Sequence, residues 1–274
     1  MKKFIFPVVL LVIASMILAA CAPAATATQP PPTQPPAPTA VPTSGLPDLG
    51  GKTITVAVEN AYPPFNQIDA TTNQGKGWDY DTVREICKRI NCNPDFKQAS
   101  WDGIFPAMQA GEYVMLADGV TVTITRSQIV DFSIPYVTIG QVLMVRADET
   151  ETVDQMKADS KKLVGTQLGT TNEIVAKKNF PAERVKSFED FGAAVLALIA
   201  GDIDGIVIDT VSATGFMNEN QGKMKVDGQL TSDEQLAFVF PPKSTLRAAV
   251  DAALQAMIAD GTLATLNKKW GLSQ

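Results

Sequence analysis

The sequence predicts an α/β fold in which strands of a largely parallel sheet alternate with helices. Short runs of β-branched and apolar residues, typical of buried strands, occur at residues 52–59, 113–117, 141–147, 162–167 and 204–209. Segments with apolar residues at helical spacing separate these runs. Because strands that alternate with helices form parallel βαβ units, we expect helices on both faces of the sheet.

Three helices are expected from their apolar spacing and their end signals. The first, at residues 79–91, carries one apolar stripe. The second, at residues 187–201, is expected to begin with Ser187 as its N-cap. The third, at residues 244–261, is expected to begin with Ser244 and to end at the glycine that closes it.

Residues 1–20 predict an export signal. Lys2 and Lys3 precede an apolar run, and small residues crowd the end of that run before Cys21. The "LAAC" junction resembles the lipobox of bacterial lipoproteins, in which the cysteine becomes the lipidated first residue. A retained membrane helix is the alternative, since about 17 apolar residues is the lower limit for spanning a bilayer.

Residues 21–50 predict a disordered tether. Nine of the 18 prolines lie in residues 22–47, which contain no charged and no aromatic residue. Such a segment cannot bury enough apolar surface to offset its ordering entropy. The remaining residues have globular composition and suit one large or two small α/β domains.

The composition excludes several function classes. The chain contains no histidine, which excludes Ser-His and Cys-His nucleophile pairs and imidazole metal sites. It contains no P-loop and no G-x-G-x-x-G run. Its net charge of −6 argues against a nucleic-acid partner. We therefore expect no cofactor, no metal and no nucleic acid, and a site for something small, polar and charged.

Cys87 and Cys92 predict a disulfide, because two nearby thiols in an exported protein are rarely both free. The alternative is that Cys87 is a core residue on the apolar stripe of its helix. Pairing requires the helix to end before Asn91, since cysteines five apart on a continuous helix face different directions.

Polar stretches follow four of the predicted strands, and they predict a ligand site. These stretches are "ENAYPPF", "DGVT", "QLGTTNE" and "VIDT". In parallel sheets, ligands bind at the carboxyl ends of the strands. The blocks "ENAYPPFNQIDATTNQGKGWDYDTVREIC", "WDGIFPAMQAGEY", "DGVTVTITRSQIVDFSIPY", "QLGTTNE" and "GDIDGIVIDT" resemble, in order, the family 3 extracellular solute-binding proteins, which are polar amino-acid receptors of ABC importers.

The resemblance implies the two-lobed periplasmic-binding-protein fold (Venus-flytrap, type II), with two hinge strands. Lobe 1 would comprise residues 51–142 plus 238–274, and lobe 2 residues 143–237. The hinges would fall near "VLMVR" and "LAFVF".

The resemblance also implies a site for the ligand α-carboxylate. The family pattern of a glycine, a threonine two residues on and an arginine seven residues on is met by Gly119, Thr121 and Arg126. A planar guanidinium offers a carboxylate two parallel hydrogen bonds. The alternative is a surface arginine that pairs with Asp131 or Glu112.

Contacts from the second lobe are implied for Gly169, Thr170, Thr171 and Asp209. Gly169 would allow close approach, and the threonines open a helix whose free N–H groups favour an anion. N-capping alone would also explain the threonines. Asp209 matches the family's aspartate for the ligand α-ammonium, and a turn-forming role at the strand end is its alternative.

Tyr62, Phe65 and Trp101 match the aromatic positions that sandwich the ligand side chain in the family. An ordinary core position is the alternative for Phe65. Asp79 and Asp81 match a further family block, but capping of the helix that follows is sufficient to explain them.

Two further carboxylates, Glu59 and Asp118, predict a basic ligand. Arg126 and Asp209 would neutralise the zwitterionic backbone of any amino acid, and a buried carboxylate without a partner is costly. Arginine is therefore expected, with lysine in the same class. Glutamine is the alternative, because Glu59 could accept from its amide.

The expected molecule is a monomeric, non-enzymatic receptor. It would be anchored through Cys21 at the outer face of the cytoplasmic membrane, at the cell surface or in the periplasm, and would deliver its ligand to the permease subunits of an ABC importer. A cyclohexadienyl dehydratase-like enzyme on the same fold is the alternative class. Such an enzyme would need a general acid but little recognition of an ammonium group, so Asp209 argues against it.

Overall fold

A computed structural model describes residues 45–272. The predicted signal peptide, Cys21 and the predicted tether up to residue 44 lie outside the described residues. Within residues 45–272, no helix combines the length and the apolar character needed to cross a bilayer.

Secondary structure alternates along the described part of the chain. Its strands are β1 Lys52–Val58, β2 Ala61–Tyr62, β3 Asn66–Ile68, β4 Gly75–Lys76, β5 Cys92–Gln98, β6 Met115–Leu116, β7 Asp131–Phe132, β8 Val137–Ile139, β9 Gln141–Arg146, β10 Val164–Gln167, β11 Val185–Phe188, β12 Gly205–Asp209, β13 Met224–Gln229, β14 Glu234–Leu236 and β15 Val239–Phe240. Its α-helices are α1 Trp78–Ile90, α2 Ile104–Ala110, α3 Val153–Ala158, α4 Thr171–Asn179, α5 Phe191–Ala200, α6 Thr210–Glu219, α7 Leu246–Ala259 and α8 Thr262–Trp270. Short 3₁₀ turns lie at Arg126–Gln128 and Ala182–Arg184.

Two five-stranded sheets form two α/β lobes. Sheet A has the strand order β5-β1-β6-β15-β7, and sheet B has the order β11-β10-β12-β9-β13. In each sheet the first three strands are parallel, the fourth is antiparallel to the third, and the fifth is antiparallel to the fourth. The predicted parallel units therefore account for three strands of each sheet. The exact limits of the lobes stay a prediction.

The chain crosses between the sheets twice, through a ribbon in which β8 pairs antiparallel with β14. The first hinge was predicted near residues 142–146, and the structure has the crossing just upstream of that run. That run lies in β9, which pairs with β12 on one side and β13 on the other. Residues 142–145 are all buried, so this apolar run is a strand inside sheet B. The first crossing lies upstream, in the ribbon.

The end of α1 brings the two cysteines together. The helix ends at Ile90, and Asn91 adopts a left-handed conformation with φ 53° that directs the chain into β5. Cys87 and Cys92 are joined by a disulfide, with Cα atoms 4.5 Å apart. Both cysteines also belong to the buried core, so the core position of Cys87 and the pairing hold together.

The predicted helix caps were wrong at two helices. Asp190, and not Ser187, is the N-cap of α5, because Ser187 lies within β11. At α7 the N-cap is Thr245, one residue after the predicted Ser244, and Ser244 Oγ accepts from the Leu246 amide over 3.3 Å. At α1 the N-cap is Gly77, so neither Asp79 nor Asp81 caps the helix.

Residues 46–50, the last part of the predicted tether, lie against the end of α1. The Leu49 amide donates to the Ile90 carbonyl over 2.9 Å. The side chains of Leu46 and Leu49 pack on the main hydrophobic cluster. This short segment therefore contacts the end of α1.

Candidate ligand-binding site

A cavity lies where parallel strands of both sheets end. Strand β1 leads directly into the cavity wall, as do β6, β10 and β12. The wall is formed by Glu59, Tyr62, Trp101, Asp118, Gly119, Thr121, Arg126, Gln167, Thr170, Thr171, Asn172, Phe191 and Asp209.

Ten of the twelve predicted ligand-binding residues lie on this wall, and Phe65 and Gly169 lie outside it. Phe65 is fully buried and stacks on Tyr62 with ring centroids 5.5 Å apart, so it supports the wall from behind. The Gly169 amide donates to Glu173 Oε2 over 2.8 Å, so this N–H group is already bonded within the protein.

Gly119 is required by the close approach of two rings. Its φ is 55°, in the left-handed region that favours glycine. A Cβ at this position would lie 2.9 Å from a Tyr62 ring carbon and 3.1 Å from a Phe65 ring carbon. Any side chain here would push the aromatic rings away from the cavity.

Arg126 lies on the wall without a carboxylate partner. Among the described residues, no carboxylate oxygen lies within 4.0 Å of its guanidinium, so the alternative pairing with Asp131 or Glu112 does not occur. Its Nη1 donates to the Thr121 carbonyl over 2.9 Å, and the guanidinium carbon lies 5.2 Å from the Trp101 ring centroid. Burial lowers the pKa of Arg126 to about 10, which leaves it protonated at neutral pH.

Asp209, at the end of β12, is a second charge on the wall and is only 2% exposed. It accepts hydrogen bonds from Tyr62 Oη at 2.5 Å and from Asn172 Nδ2 at 2.8 Å. Burial raises the pKa of Asp209 to about 6, and these two hydrogen bonds oppose the rise. The carboxylate is therefore a costly buried anion that a ligand cation would stabilise.

Glu59 and Asp118 form a second acidic group on the wall. Glu59 is 8% and Asp118 4% exposed, and neither has a lysine or arginine within 4.0 Å among the described residues. The Glu59 carboxylate accepts from Gln167 Nε2 over 2.6 Å. Burial is the main cause that raises the pKa of both carboxyls, and the Asp118 charge raises that of Glu59 further.

Polar contacts at the ribbon side of the cavity join the two sheets. Glu234 Oε2, in the ribbon, accepts from Gln141 Nε2 at 2.8 Å and from Thr121 Oγ1 at 3.4 Å. Thr121 Oγ1 also lies 3.3 Å from Thr171 Oγ1, at the start of α4. Residues from sheet A, sheet B and the ribbon therefore meet beside Arg126.

The aromatic residues are arranged differently from the prediction. Tyr62 stacks on Phe65 and also on Phe191, the first residue of α5, with centroids 5.4 Å apart. The Tyr62 ring is thus held by two protein rings, and its hydroxyl reaches Asp209. Trp101 packs edge-on against Phe105 at 5.5 Å and presents a face to Arg126.

Three residues of the wall were missed by the sequence analysis. Gln167 ends β10, Asn172 is in the first turn of α4 and Phe191 begins α5. Both amides belong to the quoted stretch "QLGTTNE", in which Gln167 is the first residue and Asn172 the sixth, so they could have been predicted as donors to the carboxylates. Phe191 carried no signal beyond an apolar residue at a helix start.

Oppositely charged side chains line one cavity, which suits a small polar ligand, and comparisons with known proteins agree with such a site. The sequence profile of the bacterial extracellular solute-binding proteins, family 3, matches residues 54–273. The chain belongs to this family. It is 27% identical over 223 residues to the ABC transporter arginine-binding protein 1 of Escherichia coli (strain K12). The aligned region covers 79% of this chain and 90% of that protein.

Solved structures of the family superpose closely on this one. An ancestral arginine-binding protein bound to glutamine has a TM-score of 0.73 and 32% identity, and covers 80% of this chain and 97% of its own. The arginine-, lysine-, histidine-binding protein ArtJ of Geobacillus stearothermophilus has a TM-score of 0.74 and 29% identity, covering 80% and 95%. An ancestral amino acid-binding protein, a precursor of cyclohexadienyl dehydratase, has a TM-score of 0.71 and 30% identity, covering 80% and 94%.

Proposed function

We propose that this protein is the amino-acid-binding receptor of an ABC importer and that its ligand is a basic amino acid, arginine before lysine. The observation that carries the proposal is the charge distribution in one cavity. Arg126 has no carboxylate within 4.0 Å among residues 45–272, while Asp209, Glu59 and Asp118 line the same wall. A ligand with one anionic and two cationic groups would place its anion on Arg126, one cation on Asp209 and the other on the acidic pair Glu59 and Asp118.

The orientation of the ligand follows from these positions. Its α-carboxylate binds the Arg126 guanidinium in a bidentate manner, beside the Thr121 hydroxyl and the start of α4. Its α-ammonium replaces solvent at Asp209. The side chain then extends toward Glu59 and Asp118, which lack a cationic partner of their own.

The ligands of similar proteins support a basic amino acid. The Escherichia coli relative is an arginine-binding protein, and ArtJ is an arginine-, lysine-, histidine-binding protein. Glutamine is the second candidate, because an ancestral arginine-binding protein was solved bound to glutamine. One contact in this chain favours it as well: an amide, that of Gln167, already donates to Glu59, so Glu59 is suited to an amide partner.

A screen of thermal stability against the twenty amino acids tests the proposal. Arginine should raise the unfolding temperature most, followed by lysine, because ligands that bind only the native state stabilise it in proportion to their affinity. A larger shift with glutamine would favour the second candidate. The largest shift with glutamate or aspartate would contradict the charge argument.

We further propose that the protein carries out no chemistry on its ligand. Its relatives named above are binding proteins, although one structural neighbour is a precursor of cyclohexadienyl dehydratase. The Asp209 carboxylate already accepts two hydrogen bonds, and its position suits an ammonium group. Incubation with prephenate or arogenate should give no product, and measurable turnover would establish the enzymatic class instead.

As a member of an extracellular family, the protein acts outside the cytoplasmic membrane, with permease subunits as its partners. The finer proposal is that it is a monomer anchored through a lipidated Cys21, because "LAAC" precedes an uncharged proline-rich segment. Mass spectrometry of the membrane fraction should show an acylated N-terminal cysteine. Intact residues 1–20 on the purified protein would contradict this.

A further inference from the structure

We propose that Asn66 is a positioning residue that keeps the Asp118 carboxylate ionised and aimed at the cavity, and that it thereby determines the preference for a cationic ligand side chain. Asn66 does not line the cavity, so it would not contact the ligand. The inference rests on the proposed function, since it concerns the side-chain end of the same site.

Both polar atoms of the Asn66 side chain form hydrogen bonds within the protein, and its nitrogen bonds to two carboxyl groups. It is completely buried at the start of β3. Its Nδ2 donates to Asp118 Oδ1 over 2.7 Å and to Asp79 Oδ2 over 2.9 Å. Its Oδ1 accepts from the Asn60 amide over 2.6 Å. The amide orientation is thus fixed, because only the NH₂ group can serve two carboxyl oxygens.

The two carboxyl groups that share Asn66 have different surroundings. Asp79 is fully buried, and its Oδ1 has no hydrogen-bond partner among the described residues. Burial raises the pKa of Asp79 well above its usual range, which favours its protonated form. Asp118 also receives a hydrogen bond from the Glu59 backbone amide, and it borders the cavity. Asp118 is therefore the member of the pair that can carry the negative charge.

The groups that face Asp118 do not stabilise that charge. Glu59 and Asp79 are themselves carboxyl groups, and negative charge on them would repel that of Asp118. No lysine or arginine of residues 45–272 lies within 4.0 Å of the Asp118 carboxylate. Arg126 lines the same cavity and is the one cation of its wall. The remaining titratable groups that interact with Asp118 are the phenols of Tyr62, Tyr80 and Tyr136.

Asn66 is therefore the one side-chain donor bonded to the Asp118 carboxylate in the described part of the chain. Burial raises the pKa of Asp118, and the Asn66 hydrogen bond lowers it. Removing the donor leaves burial unopposed, so Asp118 would hold its proton to higher pH. A neutral Asp118 no longer favours a guanidinium over an uncharged group of the same shape.

The test compares arginine with citrulline, its uncharged isostere, by calorimetry between pH 5.5 and 9. The ratio of the two affinities reports the side-chain end alone, because both ligands carry the same α-ammonium and Asp209 affects them equally. In wild type the ratio of arginine to citrulline affinity should rise with pH as the pair of Glu59 and Asp118 ionises. In Asn66→Leu the midpoint of this rise should move upward, and each unit of movement lowers the ratio about tenfold below the midpoint.

Asn66→Asp provides a second variant of unchanged size, which removes the amide donor and adds a carboxyl group, so the midpoint should move in the same direction. Tyr80→Phe is the matched control. It deletes a hydrogen bond to Asn60 Oδ1 in the same cluster and removes no hydrogen bond to Asp118, so the midpoint of its profile should stay close to that of wild type.

An unshifted midpoint with lower affinity at every pH would overturn the inference, because a merely structural role has that effect. If wild type binds no arginine at any pH, the proposed function fails and this inference fails with it. Should both variants fail to fold, NMR of wild type decides: the Asn66 side-chain ¹⁵N resonance should titrate with the Asp118 carboxyl, and a pH-insensitive resonance would refute the role.

Discussion

Replacing Asp209 with asparagine separates two consequences of one buried carboxylate, ligand recognition and a loss of stability. Asp209 is 2% exposed and accepts from Tyr62 Oη and Asn172 Nδ2. Asparagine keeps the shape but loses the charge. Its carbonyl oxygen can accept from Asn172 Nδ2, while its NH₂ group faces Tyr62 Oη, which must turn its proton away and accept instead of donating.

The size of both effects follows from the surroundings of the carboxylate. Deleting a buried charged partner costs about 2–5 kcal/mol of binding free energy, which corresponds to roughly 30- to 5,000-fold weaker binding. The rise of the Asp209 pKa from 3.8 to about 6 means that ionised Asp209 destabilises the ligand-free fold by about 3 kcal/mol at high pH. Exchanging the charge-assisted hydrogen bond from Tyr62 for a weaker neutral one offsets about 1 kcal/mol of the gain.

The pH dependence of this stability has a definite sign. A raised pKa means that the folded state favours the protonated carboxyl. Stability is therefore complete below pH 3.8, declines as the pH rises through about 6, and changes no further above it. Ligand-free Asp209→Asn should be about 2 kcal/mol more stable than wild type at pH 8, a rise of roughly 4–8 °C in unfolding temperature. At pH 4 it should be slightly less stable.

Calorimetry with arginine at pH 8 and thermal unfolding of the ligand-free proteins at pH 4 and 8 measure both effects. Tyr62→Phe is a useful control, because it removes one hydrogen bond to Asp209 and leaves the charge. If Asp209→Asn binds arginine within threefold of wild type, Asp209 does not pair with the ligand. If the ligand-free variant is less stable than wild type at pH 8, the Asp209 charge does not destabilise the fold.

Three further predictions concern other parts of the protein. Arg126→Lys keeps the charge but loses the two parallel donors, so calorimetry should show that arginine and glutamine both bind at least about tenfold more weakly. An unchanged glutamine affinity would show that Arg126 does not bind the ligand α-carboxylate. Glu59→Gln should weaken arginine far more than glutamine in the same assay, and equal losses would contradict contact with the ligand side chain. Thiol titration of denatured, unreduced protein should find neither Cys87 nor Cys92 free, whereas two reactive thiols would exclude the disulfide.

The main charges of the site could be predicted from the sequence because each follows a strand that the hydrophobic pattern identifies. Glu59 comes directly after β1, Asp118 shortly after β6, and Asp209 ends β12. Parallel strands bring their carboxyl ends to one edge, so a correct strand assignment already places these groups near one another. Arg126 needed a family motif, since an arginine between polar residues is usually solvated.

Other features depend on contacts that no local pattern encodes. Asp79 resembles a helix cap in sequence, but the fold buries it beneath Asn66. Phe65 looks like a ligand-facing ring, whereas Gly119 and Tyr62 cover it. In the sequence, Glu234 lies in a polar stretch with no functional signal. Its contact with Gln141 of sheet B arises only because β14 forms part of the ribbon.

The most direct test of the account is a crystal structure of the protein with arginine at neutral pH. We predict that the α-carboxylate lies on the Arg126 guanidinium, the α-ammonium on Asp209, and the ligand guanidinium between Glu59 and Asp118. A ligand bound in the reverse direction, with its guanidinium on Asp209, or an arginine side chain that avoids both Glu59 and Asp118, would contradict it.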